Sequence, residues 1–141
     1  MQIIHGNLLT TPGLIVQQVN ATGSRPKGLS ATLAKAFPDE AIYTLVPPSL
    51  RWLGVAHCTG RVVHLCAQNR PGKPGPNDTA GMRLVWFKQA LADLTVQHPT
   101  ADVALPYGIG CGLAGGSWAL YSKAIEEWAA THGGTVTLYQ L

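Results

Sequence analysis

The stretch Ala104–Trp118, ALPYGIGCGLAGGSW, decides how the chain is read. It holds a literal GxGxxG at Gly110-Cys111-Gly112-Leu113-Ala114-Gly115. An apolar run precedes it and a helical pattern follows, the setting of a dinucleotide-binding fingerprint. Such a fingerprint opens its fold, whereas this one lies about 25 residues from the end of the sequence. The acidic residue that should follow at the end of a further strand is missing too. A P-loop is excluded, because no GK[ST] occurs. The glycines remain suited to close approach of backbone amides to phosphate, and the helix that follows adds its N-terminal dipole.

A second segment has the same build. LIVQQVN, Leu14–Asn20, reads as a nearly continuous apolar strand. The loop Asn20–Gly28 follows it and opens a helix whose stripe is Leu29, Leu33 and Phe37, with Pro38 as its stop. Two glycine-containing loops, each between a strand and a helix, suit the two phosphates of a diphosphate. The alternative is that their glycines only make tight turns.

Around these loops the pattern is of one domain over 1–141. MQIIH reads as a first strand, and EAIYTL as a short helix before Pro47-Pro48. Val55–Cys58 and Val62–Ala67 form a hairpin about Thr59-Gly60. The Pro/Gly-rich NRPGKPGPNDTAG is long for a loop and is therefore a functional candidate. A helix over Met82–Val96 carries Leu84, Phe87, Leu91 and Leu94 on one face, and DVALPY is a strand. A last helix, Ser117–Ala130, has Ser117 as N-cap and buries Trp118, Tyr121, Ile125 and Trp128. TVTLYQL closes the sheet. Strands mixed with helices and no internal repeat predict an α/β layered domain. The hairpin and the direct step from first to second strand predict a mixed sheet.

Composition limits the function classes. Hydrophobic residues make up 46% and charged residues 12%, so the chain is globular and each charge is informative. A net charge of +3 is no argument for nucleic acid by itself. Cys58, Cys66 and Cys111 form no CxxC pair, which indicates neither a disulfide framework nor a zinc site, and no metal is expected. A reducing, cytoplasmic setting is the expectation. No signal peptide and no membrane span are read from the sequence.

The order of the parts resembles a macrodomain, the ADP-ribose-binding module. Four places carry the resemblance: IIHGNLL, IVQQVNATGSRPKGLSATLAKAFP, LPYGIGCGLAGGSW and TVTLYQL. It is strongest to the branch of terminal ADP-ribose glycohydrolases, antitoxins that remove ADP-ribose from DNA, and phage ADP-ribose-1''-phosphate phosphatases. The resemblance implies a three-layer α/β/α fold with a mixed central sheet and no cofactor. It also implies a ligand set. Asn7, with Leu8 beside it, stands where the family's adenine-recognising acid stands, and an Asn oxygen still accepts a hydrogen bond. Asn20 falls near the distal ribose. Thr22, Gly23, Lys27, Gly28 and Leu29 belong to the first phosphate loop, Gly23-Ser24-Arg25-Pro26-Lys27-Gly28. Tyr107, Gly108, Ile109, Gly110, Cys111, Gly112 and Leu113 form the second loop, around the diphosphate and distal ribose.

The same comparison bears on catalysis. The glycohydrolases use a Lys after the hairpin strand and an Asp just after GCGL. Here those places read Ala67-Gln68-Asn69 and Ala114. Acid–base catalysis wants a carboxylate or His within reach of the reacting group. None of the seven acids lies in either loop, and Asp78, in the Pro/Gly loop, is the most mobile of them. Its alternative role is that of a solvated partner at a helix start. His5, His57, His64, His98 and His132 read as structural or solvated, and Cys111 as a packing residue. Asn20, Lys27 and Gln68 remain as groups to position substrate and water. Three functions stay open: an ADP-ribose phosphatase or ADP-ribosyl hydrolase, towards which the resemblance leans; a non-catalytic reader of ADP-ribose nucleotides; and a module acting on ADP-ribosylated DNA or protein. In the last, Arg25, Arg70 and Lys73 would touch a strand backbone.

Overall fold

The computed structural model describes residues 1–23, 26–42 and 49–141. Among these, six strands form one sheet: β1 (Gln2–His5), β2 (Leu14–Asn20), β3 (Ala56–Thr59), β4 (Val62–Gln68), β5 (Val103–Pro106) and β6 (Val136–Gln140). Three helices accompany them: α1 (Leu29–Ala36), α2 (Ala80–Gln97) and α3 (Trp118–Ala129). Short 3-10 turns occupy Leu8–Thr10, Pro38–Glu40 and Leu50–Trp52.

The strand order is β1-β6-β5-β2-β4-β3. Every pairing is parallel except β3 with β4, the hairpin expected about Thr59-Gly60. The sheet is therefore mixed, though only one of the two reasons given for it holds. β1 and β2 are not neighbours: β6 and β5 lie between them. Parallel strands need a crossover, and the chain between β1 and β2 runs across the sheet instead of turning back.

Alternation along the central strands builds the two faces. Val16, Val63, Leu65, Val103, Leu105 and Leu138 pack with Phe87, Leu91 and Leu94 of α2 and Tyr121, Ile125 and Trp128 of α3. Their neighbours Ile15, Val62 and Ala104 face the other way, against Leu33 of α1 and Leu8 of the first 3-10 turn. The result is the three-layer α/β/α arrangement. All seven residues of β4 are buried, whereas all four of the edge strand β1 are exposed.

Two local expectations are corrected. Ser117 occupies the N-cap position of α3 but makes no side-chain cap bond. Trp118 is only half-buried: it packs at the edge of the main core, its ring tilted 49° against Tyr107 with centroids 4.7 Å apart. The helix read over EAIYTL reaches into 43–48, outside the described residues.

Candidate functional site

Five parallel strands point their carboxyl ends the same way, and in open α/β sheets ligands bind in the crevice there. A cavity of about 470 Å³ lies at that end. β2 supplies its floor through Gln17, Gln18, Val19 and Asn20. One wall is the start of α1, Lys27 to Ser30. The opposite wall is the loop after β5, from Pro106 to Ala114, and Gln68, Pro71 and Gly72 close the third side.

The two glycine loops have different local reasons for their residues. Gly28 sits at φ 56° and ψ −128°, a conformation that L side chains avoid, and it caps α1 without any side-chain bond. Gly28 thus offers the first-turn amides of α1 no side-chain acceptor, which suits an anion site. Gly110, at φ 77°, is pressed against the core. A Cβ there would lie 2.5 Å from the ring of buried Tyr121 and 3.0 Å from Gln18 Oε1. Turn bonds from Ile109 N to Pro106 O, Cys111 N to Gly108 O and Gly116 N to Gly110 O hold the loop, and buried Ile109 anchors it. Leu113, 67% exposed, leans from this loop to within 3.8 Å of where a Gly28 Cβ would stand.

The floor is a set of tethered amides. Gln18 Nε2 donates to Gln68 Oε1 at 2.8 Å, and Gln68 Nε2 donates to Arg70 O at 3.2 Å. Ser30 Oγ donates to Gln17 Oε1 at 2.6 Å, and Gln17 Nε2 meets His64 Nδ1 at 2.8 Å. His64 Nε2 lies 2.7 Å from Thr59 Oγ1, which itself donates to Glu40 O. Burial pushes His64 down to about 4, so near neutrality the ring is uncharged. It accepts from Gln17 at Nδ1 and donates to Thr59 from Nε2. Asn20 Oδ1 accepts from the Thr22 amide at 3.1 Å and from its hydroxyl at 2.9 Å. Lys27 is the one charged side chain among the described lining residues, and neither a carboxylate nor a histidine lines the cavity.

Of the expected ligand and catalytic residues, Asn20, Lys27, Gly28, Leu29, Gln68, Tyr107, Gly108, Ile109, Gly110, Gly112 and Leu113 line this one cavity. Asn7, Leu8, Thr22, Gly23 and Cys111 do not. Asn7 caps the first 3-10 turn, accepting from Leu9 N at 3.0 Å, and Leu8 is buried beneath it. Cys111 packs at the edge of the main core, where burial raises its thiol above 9.0. Ser24 and Arg25 lie outside the described residues.

Asp78 is the clearest correction. It is neither mobile nor solvated: it is 1% exposed and forms an ion pair with Arg83, itself 1% exposed. Arg83 Nε donates to Asp78 Oδ1 at 2.9 Å and Nη2 to Oδ2 at 2.6 Å, while the amides of Asn69 and Arg70 donate to the same carboxylate. Burial alone would raise this carboxyl, but the Arg83 hydrogen bonds, the two amides and the Arg83 charge outweigh it and hold it below 3.8. The cap of α2 is instead Thr79, whose hydroxyl accepts from Met82 N. Among the histidines, His132 is buried, with Nδ1 2.9 Å from Thr95 Oγ1 and Nε2 2.7 Å from Ala101 O.

Sequence reasoning missed Gln17, Gln18, Ser30 and Arg83. Two adjacent glutamines inside an apolar strand, and one arginine in the apolar GMRLVWF, were the available signals. Among the described residues no cluster of side chains fits a metal ion, and no helix is long and apolar enough to cross a membrane.

Comparison with protein-family models finds no match, and comparison with curated proteins finds none either. Solved structures do match. A protein of unknown function from Bacteroides thetaiotaomicron is 27% identical, with a TM-score of 0.77 over 99% of this chain and 97% of that one. The macrodomain of Thermus aquaticus DarG is 22% identical, with a TM-score of 0.73 over 99% and 97%. That of Mycobacterium tuberculosis DarG is 18% identical, with a TM-score of 0.74 over 98% and 97%. The chain has the macrodomain fold.

Proposed function

We propose that this macrodomain-fold chain binds ADP-ribose or a derivative of it in the cavity at the sheet's carboxyl edge. The diphosphate lies between Lys27-Gly28 and the Gly110–Gly112 loop. The terminal ribose lies beside Asn20, Gln68 and Ala114. One observation carries the reading: both glycine loops line a single cavity whose only charged lining group, among the described residues, is a lysine. A doubly charged diphosphate is favoured there by Lys27 and by the uncapped start of α1.

Binding and holding the nucleotide is the function best supported. Gln68, one of the three groups available for chemistry, has its amide engaged at both ends by Gln18 and Arg70. Asp78 is locked to Arg83. A second reading, hydrolysis of ADP-ribose-1''-phosphate or of ADP-ribosylated DNA or protein, is favoured by the convergence of Asn20, Lys27 and Gln68 on the cavity. It would rest on positioning and electrostatics without a side-chain acid or base.

Calorimetric titration with ADP-ribose tests the reading. Measurable heat and a one-to-one end point are expected, and absence of binding at millimolar ligand overturns it. Incubation with ADP-ribose-1''-phosphate and with an ADP-ribosylated oligonucleotide then separates the two activities. Release of ADP-ribose from either establishes hydrolysis, and binding without release leaves a reader.

A further inference from the structure

The Pro/Gly loop between β4 and α2 is folded around the buried Arg83 side chain, and that side chain also reaches the second glycine loop. Arg83 Nη1 donates to Gly72 O at 2.7 Å and to Ala114 O at 3.2 Å. Nη2 donates to Arg70 O and Lys73 O at 3.1 and 3.3 Å, while Asp78 fixes the other edge of the guanidinium through two bonds. Gly72 and Ala114 belong to different walls of the cavity, and both line it. A single nitrogen therefore ties together two loops that are far apart in sequence. A guanidinium is planar and its donors are fixed relative to one another, so the spacing between the two carbonyls is set by the side chain. The aliphatic part of Lys73 adds to the seam, with its Cγ 3.2 Å from where a Gly115 Cβ would stand.

We propose that Arg83 is a positioning residue for ligand recognition. By holding the Gly72 and Ala114 carbonyls on one guanidinium, it fixes the gap between the two walls that enclose the terminal ribose. It sets affinity for that part of the ligand without touching it. The proposal rests on the nucleotide reading above, in which the terminal ribose lies beside Ala114.

Arg83→Lys keeps a positive charge for Asp78 but loses the planar Nη1 amino group, whose two fixed N–H directions hold both carbonyls. ADP-ribose and ADP, which lacks the terminal ribose, are titrated into wild-type and variant chains, with thermal midpoints recorded for each. The expected result is at least a tenfold loss of ADP-ribose affinity with ADP affinity held within twofold. A merely structural role lowers both affinities together or neither, and either outcome overturns the proposal. Failure of the wild-type chain to bind ADP-ribose overturns the nucleotide reading and this proposal with it. Wild-type binding with parallel losses in the variant overturns this proposal alone. Should Arg83→Lys not fold, Asp78→Asn gives the second measurement. It keeps the guanidinium but weakens its anchor, and the same split between ADP-ribose and ADP is expected.

Discussion

Gly112→Glu places a carboxylate in the wall proposed to face the diphosphate. Gly112 lines the cavity, its φ is not in the left-handed region, and a Cβ there has nothing within 4 Å. The fold therefore tolerates the side chain, and stability should stay within about 0.5 kcal/mol of wild type. The effect on ligand is electrostatic. At about 5 Å, two phosphate charges repel one carboxylate by about 1.7 kcal/mol in a water-like dielectric, and by about four times that at an effective dielectric of 20. Even the smaller figure weakens binding by about 15-fold. Calorimetry with ADP-ribose at low and physiological salt measures this. Gly112→Gln has the same bulk without the charge, so the difference between the two variants isolates the charge. It should shrink as salt rises. If Gly112→Glu binds ADP-ribose as wild type does while remaining folded, the loop does not face a phosphate, and its glycines serve only its turns.

Gly110→Ala should destabilise the fold by about 2–5 kcal/mol, combining left-handed backbone strain with a clash against the Tyr121 ring. Urea denaturation reads this, and an unchanged midpoint would show that the ring yields freely. Leu113→Ala should leave stability within about 0.5 kcal/mol, because the side chain is 67% exposed. It should nevertheless weaken ADP-ribose severalfold by opening the cleft between Leu113 and Gly28, and unchanged affinity on titration refutes that bridge. His64 is pushed by burial from 6.5 to about 4, with the Glu40 backbone opposing and His57 adding to the shift. Between those values the unfolded chain binds the extra proton, so stability is full above about 6.5 and is lost as pH falls toward 4, by about 3 kcal/mol in all. Denaturation at pH 7, 5.5 and 4.5 should show this slope in the wild type and its loss in His64→Asn. Equal slopes would place the pH dependence elsewhere.

The sequence by itself determined the element order, the hairpin, the two glycine loops and the strand-to-helix context of each. These follow from local causes: the nearly continuous apolar runs of Leu14–Asn20 and Val62–Ala67, Pro38 stopping α1, and glycines where the backbone turns. Most of the lining set was legible for the same reason, since Lys27-Gly28-Leu29 and Tyr107–Leu113 are contiguous stretches with recognisable motifs. What it missed depends on pairing across the sheet. Nothing within MQIIH says that its partner is Val136–Gln140, so β1 was misread as stepping directly to β2. Gln18 meets Gln68 only because β2 and β4 are parallel neighbours. Asp78 reads as a loop acid in isolation, because its exposure depends on whether Arg83, five residues on, turns inward. Only the tertiary structure decided that it does. The carbonyls of Arg70, Gly72, Lys73 and Ala114 need a buried donor, and one guanidinium meets all four while neutralising the carboxylate. Local pattern fixes which segments can approach a phosphate; the long-range satisfaction of buried polar groups fixes which side chains are left free to act on it.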